Sequence, residues 1–444
     1  MKAGQARSVT HEPQVGSVPR LAAVTEEVAD PGDLLELLPA GPVLSWVRRG
    51  DGLVGWGEVA RFECAGPQRF AQARQWWAAV VGAARVRDDV SVPGSGLIAA
   101  CSFAFAEESA ARSVLVIPAV VVARRDGGCW VTRVRETSRG AGAGLQARMR
   151  GVGLAGIGPA APPPGPGPVA WSHGSGSEAQ WVAAVTGAVA RIDAGQLAKV
   201  VLARDVIART AQPVDIRWPL RRLAERYGRC WTFAVDGLFG ATPELLLRSD
   251  RGLVTSRVLA GTIWRSGEVS ASDGDLSALA SRLARSEKDL TEHRLAVASA
   301  AEVLLRHCAS VNVPDEPFVL PLPNVLHLAT DVTGALAVPT GLLDLVADLH
   351  PTAAVGGTPT PTAVAVIAEL ETTDRRRYAG PVGWVDADGD GELGIALRCG
   401  ELDGSDARTV RAWAGCGIVA GSDPAAELAE SVAKLIPVRE ALDS

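Results

Sequence analysis

Four carboxylates in this 444-residue chain come as two pairs with one spacing. Asp289 and Glu292 lie three apart in the run SEKDLTEH at 286–293, and Glu427 and Glu430 repeat that spacing in PAAELAESVAK at 424–434. Residues at i and i+3 share a helix face, so each helix can present two carboxylates side by side. Two such faces opposed make an oxygen-only site suited to Mg²⁺, with waters and an anionic ligand completing the octahedron. Acidic pairs at this spacing also serve as plain solvated helix faces, and Lys434, four after Glu430, suits an ordinary surface ion pair.

Lys199 opens the run KVVLAR at 199–204, and along a strand it shares a face with Val201 and Ala203. Desolvation on such a face can lower a lysine pKa until the neutral amine is a usable base. A strand-end lysine reaching solvent is the plainer alternative. Among 44 basic residues only four are lysines, at 2, 199, 288 and 434, so a lysine kept at 199 draws notice. Glu244 follows Pro243 and precedes three leucines, where a carboxyl can have a raised pKa and act as a general acid, or simply serve a turn. Gly415-Cys416-Gly417 and Gly356-Gly357 are places where backbone can approach an anion. His327 and Arg398 could each bind a carboxylate or hydroxyl.

These groups need a scaffold, and the composition allows a large one. Apolar residues make up 47% and charged residues 21% of the chain, the balance of a globular protein with a large core. A net charge of −6 without a basic stripe argues against a nucleic-acid partner. Residues 1–14 hold no apolar h-region, so no secretory signal is expected, and no run is long enough for a bilayer span. Seven scattered cysteines without CxxC spacing suggest reduced thiols and a cytoplasmic setting.

Residues 1 to about 20 read as a disordered N-terminus, and 21–444 as one domain. Apolar runs at 43–47, 97–105, 114–123 and 130–134 read as strands, and 71–84 as a helix. The Pro/Gly-rich stretch 158–177 reads as an irregular surface loop. Beyond it a helix over 178–194 leads into the strand at 199–203. Strands at 231–235 and 245–247 then alternate with helices near 275–308, 360–371 and 424–442. The irregular alternation predicts an α+β protein with large sheets. Two tempting motifs fail on context. The GxGxxG at 151–156 runs into the proline-rich stretch instead of opening a helix. Asp386-Ala-Asp-Gly-Asp-Gly391 starts like a calcium loop but has Leu397 where a bidentate Glu is needed, so a hairpin turn between 382–385 and 393–397 is expected.

Taken in order, ten segments resemble the chorismate-utilising enzyme family, the relatives of anthranilate synthase component I. They are KVVLAR at 199–204, GATPELLLR at 240–248, LAGT at 259–262, SEKDLTEH at 286–293, HLAT at 327–330, HPTAAVGGTP at 350–359, YAGPVGW at 378–384, ALRC at 396–399, AGCGIV at 414–419 and the acidic helix ending at Lys434. The resemblance spans about 180–442. It implies an α/β sandwich of two large, mainly antiparallel sheets with helices outside.

The same resemblance implies the chemistry. Lys199 matches the lysine of members that use water as nucleophile, where ammonia-using members carry glutamine. Ala260 stands where aminodeoxychorismate-forming members have a nucleophilic lysine, and Ala354 where pyruvate-eliminating members have threonine. The implied reaction is the Mg²⁺-dependent conversion of chorismate to isochorismate. Lys199 is its base and Glu244 its acid, with the metal on Glu292 and Glu430 and Asp289 and Glu427 near it. Gly261, Thr262, His327, Ala354, Tyr378, Arg398, Gly415 and Lys434 are the implied substrate contacts. A monomer without a glutaminase subunit is expected. Menaquinone synthesis, the housekeeping use of isochorismate, is the expected pathway ahead of catechol siderophores. Salicylate synthesis is the rival reaction, and a silent binding relative the rival class.

Overall fold

The computed structural model describes residues 18–137, 151, 153–264, 273–323 and 325–443. Most of the expected N-terminal tail, residues 1–17, lies outside them.

The strands form two runs, and every pairing within them is antiparallel except that of Leu21–Glu27 with Arg85–Asp88. One run passes from Leu21–Glu27 through Gly128–Glu136, Ser113–Arg125, Ile98–Ser102, Pro381–Asp386, Gly391–Ile395, Leu245–Asp250 and Leu253–Trp264 to Val325–Leu336. The other passes from Asp51–Cys64 through Val43–Arg48, Trp231–Val235, Leu238–Thr242, Cys399–Asp403 and Asp406–Ile418 to Lys199–Thr210. Asp51–Cys64 also pairs along the whole of Ser113–Arg125, so the two sheets share one continuous hydrogen-bonded network. The register shifts there between Glu58 and Ala60, opposite Pro118, where proline offers no N–H and a bulge can bend the ladder.

Alternation along the strands sends one face of each run inward. Trp46, Leu202, Phe233 and Trp413 of the second run share a core with Ala100, Leu245, Val382 and Ile395 of the first. A second cluster packs the far face of the second run beneath the helices Arg217–Arg226 and Ile436–Leu442. The helix Glu287–His307 lies against Leu253–Trp264 and Val325–Leu336.

The helices that carry the paired carboxylates start where their caps dictate. Ser286 accepts from the Asp289 amide at the head of Glu287–His307, and Asp423 accepts from the Ala426 amide at the head of Pro424–Lys434. Those caps also correct the sequence reading. The segment near 275–308 is two helices, Asp273–Ala284 and Glu287–His307, because Ser286 begins a new one. The segment 424–442 breaks at Leu435, ahead of Pro437.

A further correction concerns 158–177. Val169–His173 is a strand, paired with Val206–Thr210, because the sequence turns apolar and β-prone again once the prolines end. The described residues of 151–156 form turns with no helix after them, and Asp386–Gly391 is the expected hairpin turn. Its carboxylates are spent on the turn: Asp386 accepts from the Asp388 and Asp390 amides, and Asp390 from Ser249 and Arg251.

Candidate active site

The strand Lys199–Thr210 runs antiparallel to Asp406–Ile418, with Val201 opposite Gly417 and Ala203 opposite Gly415. Lys199 is 1% exposed, which settles its burial against the solvent-reaching alternative. Its Nζ lies 2.9 Å from Glu292 Oε1. A Cβ on Gly417 would come within 2.6 Å of that same oxygen and 3.2 Å of Lys199 Cε. Glycine at 417 is therefore what lets the lysine and the carboxylate meet across the strand pair.

Beside this pair is a cavity of about 250 Å³. Glu244, all four paired carboxylates and all eight expected substrate contacts line it. Lys199 sits just behind that wall, covered by Glu292 and Gly417.

Glu244 stands at the turn between Leu238–Thr242 and Leu245–Asp250, 5% exposed. Burial pushes its carboxyl up to about 8, against the opposing pull of Lys199, the Leu259 backbone, Arg398 and Lys434. It therefore carries a proton at neutral pH, as its place before three leucines suggested.

The strand Leu253–Trp264 shifts register between Ala260 and Thr262 where it pairs with Val325–Leu336. Gly261 in the bulge has φ +76°, and a Cβ there would press within 3.0 Å of Asp289 Cβ. The bulge puts Thr262 opposite His327, with Thr262 Oγ1 2.9 Å from His327 Nδ1. Arg398 Nη2 donates to His327 Nε2 at 3.2 Å. Burial, then the charges of Arg398 and Lys434, hold His327 well below the usual histidine range, so the ring is neutral. With Nε2 accepting from an arginine, the ring proton sits on Nδ1 and is donated to Thr262. That leaves the Thr262 hydroxyl proton free for a ligand. Arg398 itself has φ +51°, a left-handed conformation of the kind that collects at functional sites.

Lys434 is held rather than free. Its Nζ lies 2.6 Å from Glu430 Oε1 and donates to the Gly415 carbonyl at 2.9 Å. Burial pulls its ammonium down, but the charge of Glu430 outweighs that and raises it overall. Tyr378, buried and stacked on Trp413, has its hydroxyl pushed up to about 12 by burial and stays a hydrogen-bonding phenol.

Among the described residues, one trio of potential metal ligands comes within 4.8 Å of one another, namely Cys416, Glu427 and Glu430. The Cys416 thiol is driven far up by burial, and it donates to the Glu427 carbonyl. With the thiol turned to that carbonyl, the oxygen groups of the trio are the carboxylates of Glu427 and Glu430. Glu292 is turned to Lys199 instead of completing this cluster.

Two buried polar groups at or beside the site escaped the sequence reading. His293, next to Glu292, is buried between the Ala260 carbonyl and Thr330 Oγ1, at 3.2 and 2.7 Å. Arg375 lines the cavity and pairs with Glu371. The i,i+4 spacing of Glu371 and Arg375 was a visible signal, but it matches any surface helix pair.

A two-run antiparallel sandwich carrying this cavity defines the class, and the sequence profile of the chorismate-binding enzymes matches residues 19–443. The chain belongs to the chorismate-binding enzyme family. Over 266 residues it is 36% identical to the isochorismate synthase MenF of Bacillus subtilis, covering 59% of this chain and 55% of that one. Over 258 residues it is 37% identical to the isochorismate synthase DhbC of the same species, covering 55% and 63%. The chain thus matches little more than half the length of the first relative and under two thirds of the second. The structure of MenF, the menaquinone-specific isochorismate synthase of Escherichia coli, superposes with a TM-score of 0.78 at 24% identity over 96% of this chain and 95% of that one, a likeness of fold.

Proposed function

We propose that this chain is an isochorismate synthase, converting chorismate to isochorismate by adding water at C2 and expelling the C4 hydroxyl. The observation that carries the reading is Glu244, a carboxyl with a raised pKa lining the cavity, with the buried amine of Lys199 just behind the cavity wall at Glu292. An acid and an amine placed this way match the two proton transfers the reaction needs. Relatives with similar sequences bear the same name.

In this reading Lys199 takes a proton from the attacking water. It does so as the neutral amine, so its pair with Glu292 opens before the transfer. Glu244 delivers its proton to the departing C4 oxygen as the ring double bonds shift. Arg398, Lys434, Tyr378 and the Gly415 amide hold the substrate carboxylates. Thr262, oriented by His327, donates to an oxygen of the ring substituents, with Gly261 and Ala354 forming the wall. The charge count is unchanged between substrate and product, so the site chiefly orients groups and times proton transfer.

An oxygen-only donor set of Asp289, Glu292, Glu427 and Glu430 fits Mg²⁺, with Glu292 and Glu430 the proposed ligands and the other two alongside. Mg²⁺, when bound, supplies positive charge for the ring carboxylate. We assign the product to menaquinone synthesis and expect a monomer that needs no glutaminase subunit.

The test is an assay with chorismate and Mg²⁺ on the parent, Lys199→Ala and Glu244→Ala. Isochorismate from the parent and loss of about 10²–10⁴-fold in kcat for each variant are expected, the usual worth of a general acid or base. Near-parental turnover by either variant removes that residue from its role. Stoichiometric pyruvate would instead identify a salicylate synthase.

A further inference from the structure

The strand Lys199–Thr210 has one edge fully paired, from Val200 to Arg209, with Asp406–Ile418. Its other edge is paired only at its ends. Lys199 and Val200 face Thr358 and Gly357, and Val206–Thr210 face Val169–His173. Between them the Val201 amide still donates to the Gly356 carbonyl at 2.9 Å, but the Val201 carbonyl and the Ala203 amide meet no strand, in the part of the molecule that holds the base. Unmet backbone groups in a buried setting are costly, so something must satisfy them.

The partners of that carbonyl and that amide are side chains. Arg375 Nη2 donates to the Val201 carbonyl at 2.6 Å, and Glu371 Oε1 accepts from the Ala203 amide at 2.7 Å. The two side chains are joined by a double contact, Nη2 to Oε1 at 2.5 Å and Nε to Oε2 at 3.0 Å. Arg375 Nη1 then donates to the Val355 carbonyl at 2.8 Å, beside Ala354 in the cavity wall. Both side chains are under 5% exposed, and the guanidinium lies 4.2 Å over the Phe105 ring.

We propose that Glu371 and Arg375 are positioning residues. They stand in for a missing strand along the edge beside Lys199 and fix its amine, together with the Ala354 wall, relative to Glu244. The pair touches two backbone segments, at Val201 and Val355, that both line the cavity, and it does so with a planar fork that a single-nitrogen cation cannot reproduce. This inference rests on Lys199 being the base, so its test must fail separately from that reading.

The experiment compares Arg375→Lys, Glu371→Gln and Glu371→Ala with the parent, below the unfolding temperature of every variant. Amide hydrogen exchange at Ala203 and steady-state kinetics with chorismate and Mg²⁺ are measured on each. Glutamine can still accept from the Ala203 amide, whereas alanine cannot. Arg375→Lys and Glu371→Ala should therefore speed Ala203 exchange about tenfold or more and lower kcat about 10–100-fold with KM within about threefold, as expected for a displaced but intact catalytic group. Glu371→Gln should keep slow exchange and most of kcat.

If folded Arg375→Lys and Glu371→Ala exchange faster but keep kcat within about twofold of the parent, the pair is merely structural and the proposal is overturned. Unchanged exchange in both also overturns it. If Glu371→Ala does not fold, Arg375→Lys set against Glu371→Gln decides by the same criteria. Retained turnover in Lys199→Ala refutes the base assignment instead, and the exchange result still reports on the edge itself.

Discussion

Glu244 and Lys199 are both buried, and for Glu244 burial decides which form of the carboxyl the site presents.

 Burial raises the Glu244 carboxyl to about 8, so the acid form persists through neutral pH. Activity that depends on this proton should fall as pH rises through about 8, and a pH profile of kcat/KM should show that descending limb. The same shift is a stability statement. A carboxyl whose folded pKa lies above its unfolded value leaves stability intact at low pH and erodes it as pH climbs through the folded value. Glu244→Gln, which cannot ionise, should therefore match the parent in urea denaturation near pH 4 and exceed it at pH 9. Equal curves at both pH values would contradict the buried, protonated carboxyl. At this scale the sequence was informative about type and place. The apolar setting of Glu244 and the lysine heading an apolar strand were visible, whereas the Lys199–Glu292 contact joins residues 93 positions apart through tertiary packing.

At the scale of elements, the site depends on two glycines where a side chain would not fit. Gly261 needs its left-handed φ to make the bulge that sets Thr262 against His327. Gly261→Ala should cost about 1–2 kcal/mol from the backbone alone, read as a lower unfolding midpoint. It should also weaken activity, because the new methyl crowds Asp289. Gly417→Ala meets side-chain ends more than backbone, so the protein should fold while the Lys199–Glu292 contact is pushed apart and kcat drops. Parental kcat in folded Gly417→Ala would show that this contact does not matter. Helix faces were legible from the i,i+3 spacing, and Asp289, Glu292, Glu427 and Glu430 do reach one cavity. The bulge at Gly261 was not, because a register shift depends on the partner strand. Nor was the strand Val169–His173, masked by the prolines before it.

For the whole molecule, the α+β class with large sheets follows from the alternating apolar runs, and the two mainly antiparallel sheets from the resemblance carried by the ten segments; the family match over 19–443 agrees with both. What the runs could not convey is that Asp51–Cys64 and Ser113–Arg125 join the sheets into one network, since strand order is set by contacts distant in sequence. Among the described residues no helix is long and apolar enough to cross a membrane. The sandwich brings segments from 199 to 434 around one cavity, and the central claim is what that cavity does with water. Chorismate and Mg²⁺ incubated with the protein in H₂¹⁸O, with the products resolved by mass spectrometry, test it most directly. Isochorismate carrying one ¹⁸O, with no accompanying pyruvate, is the predicted result. Unlabelled isochorismate, or pyruvate as a major product at neutral pH, would contradict it.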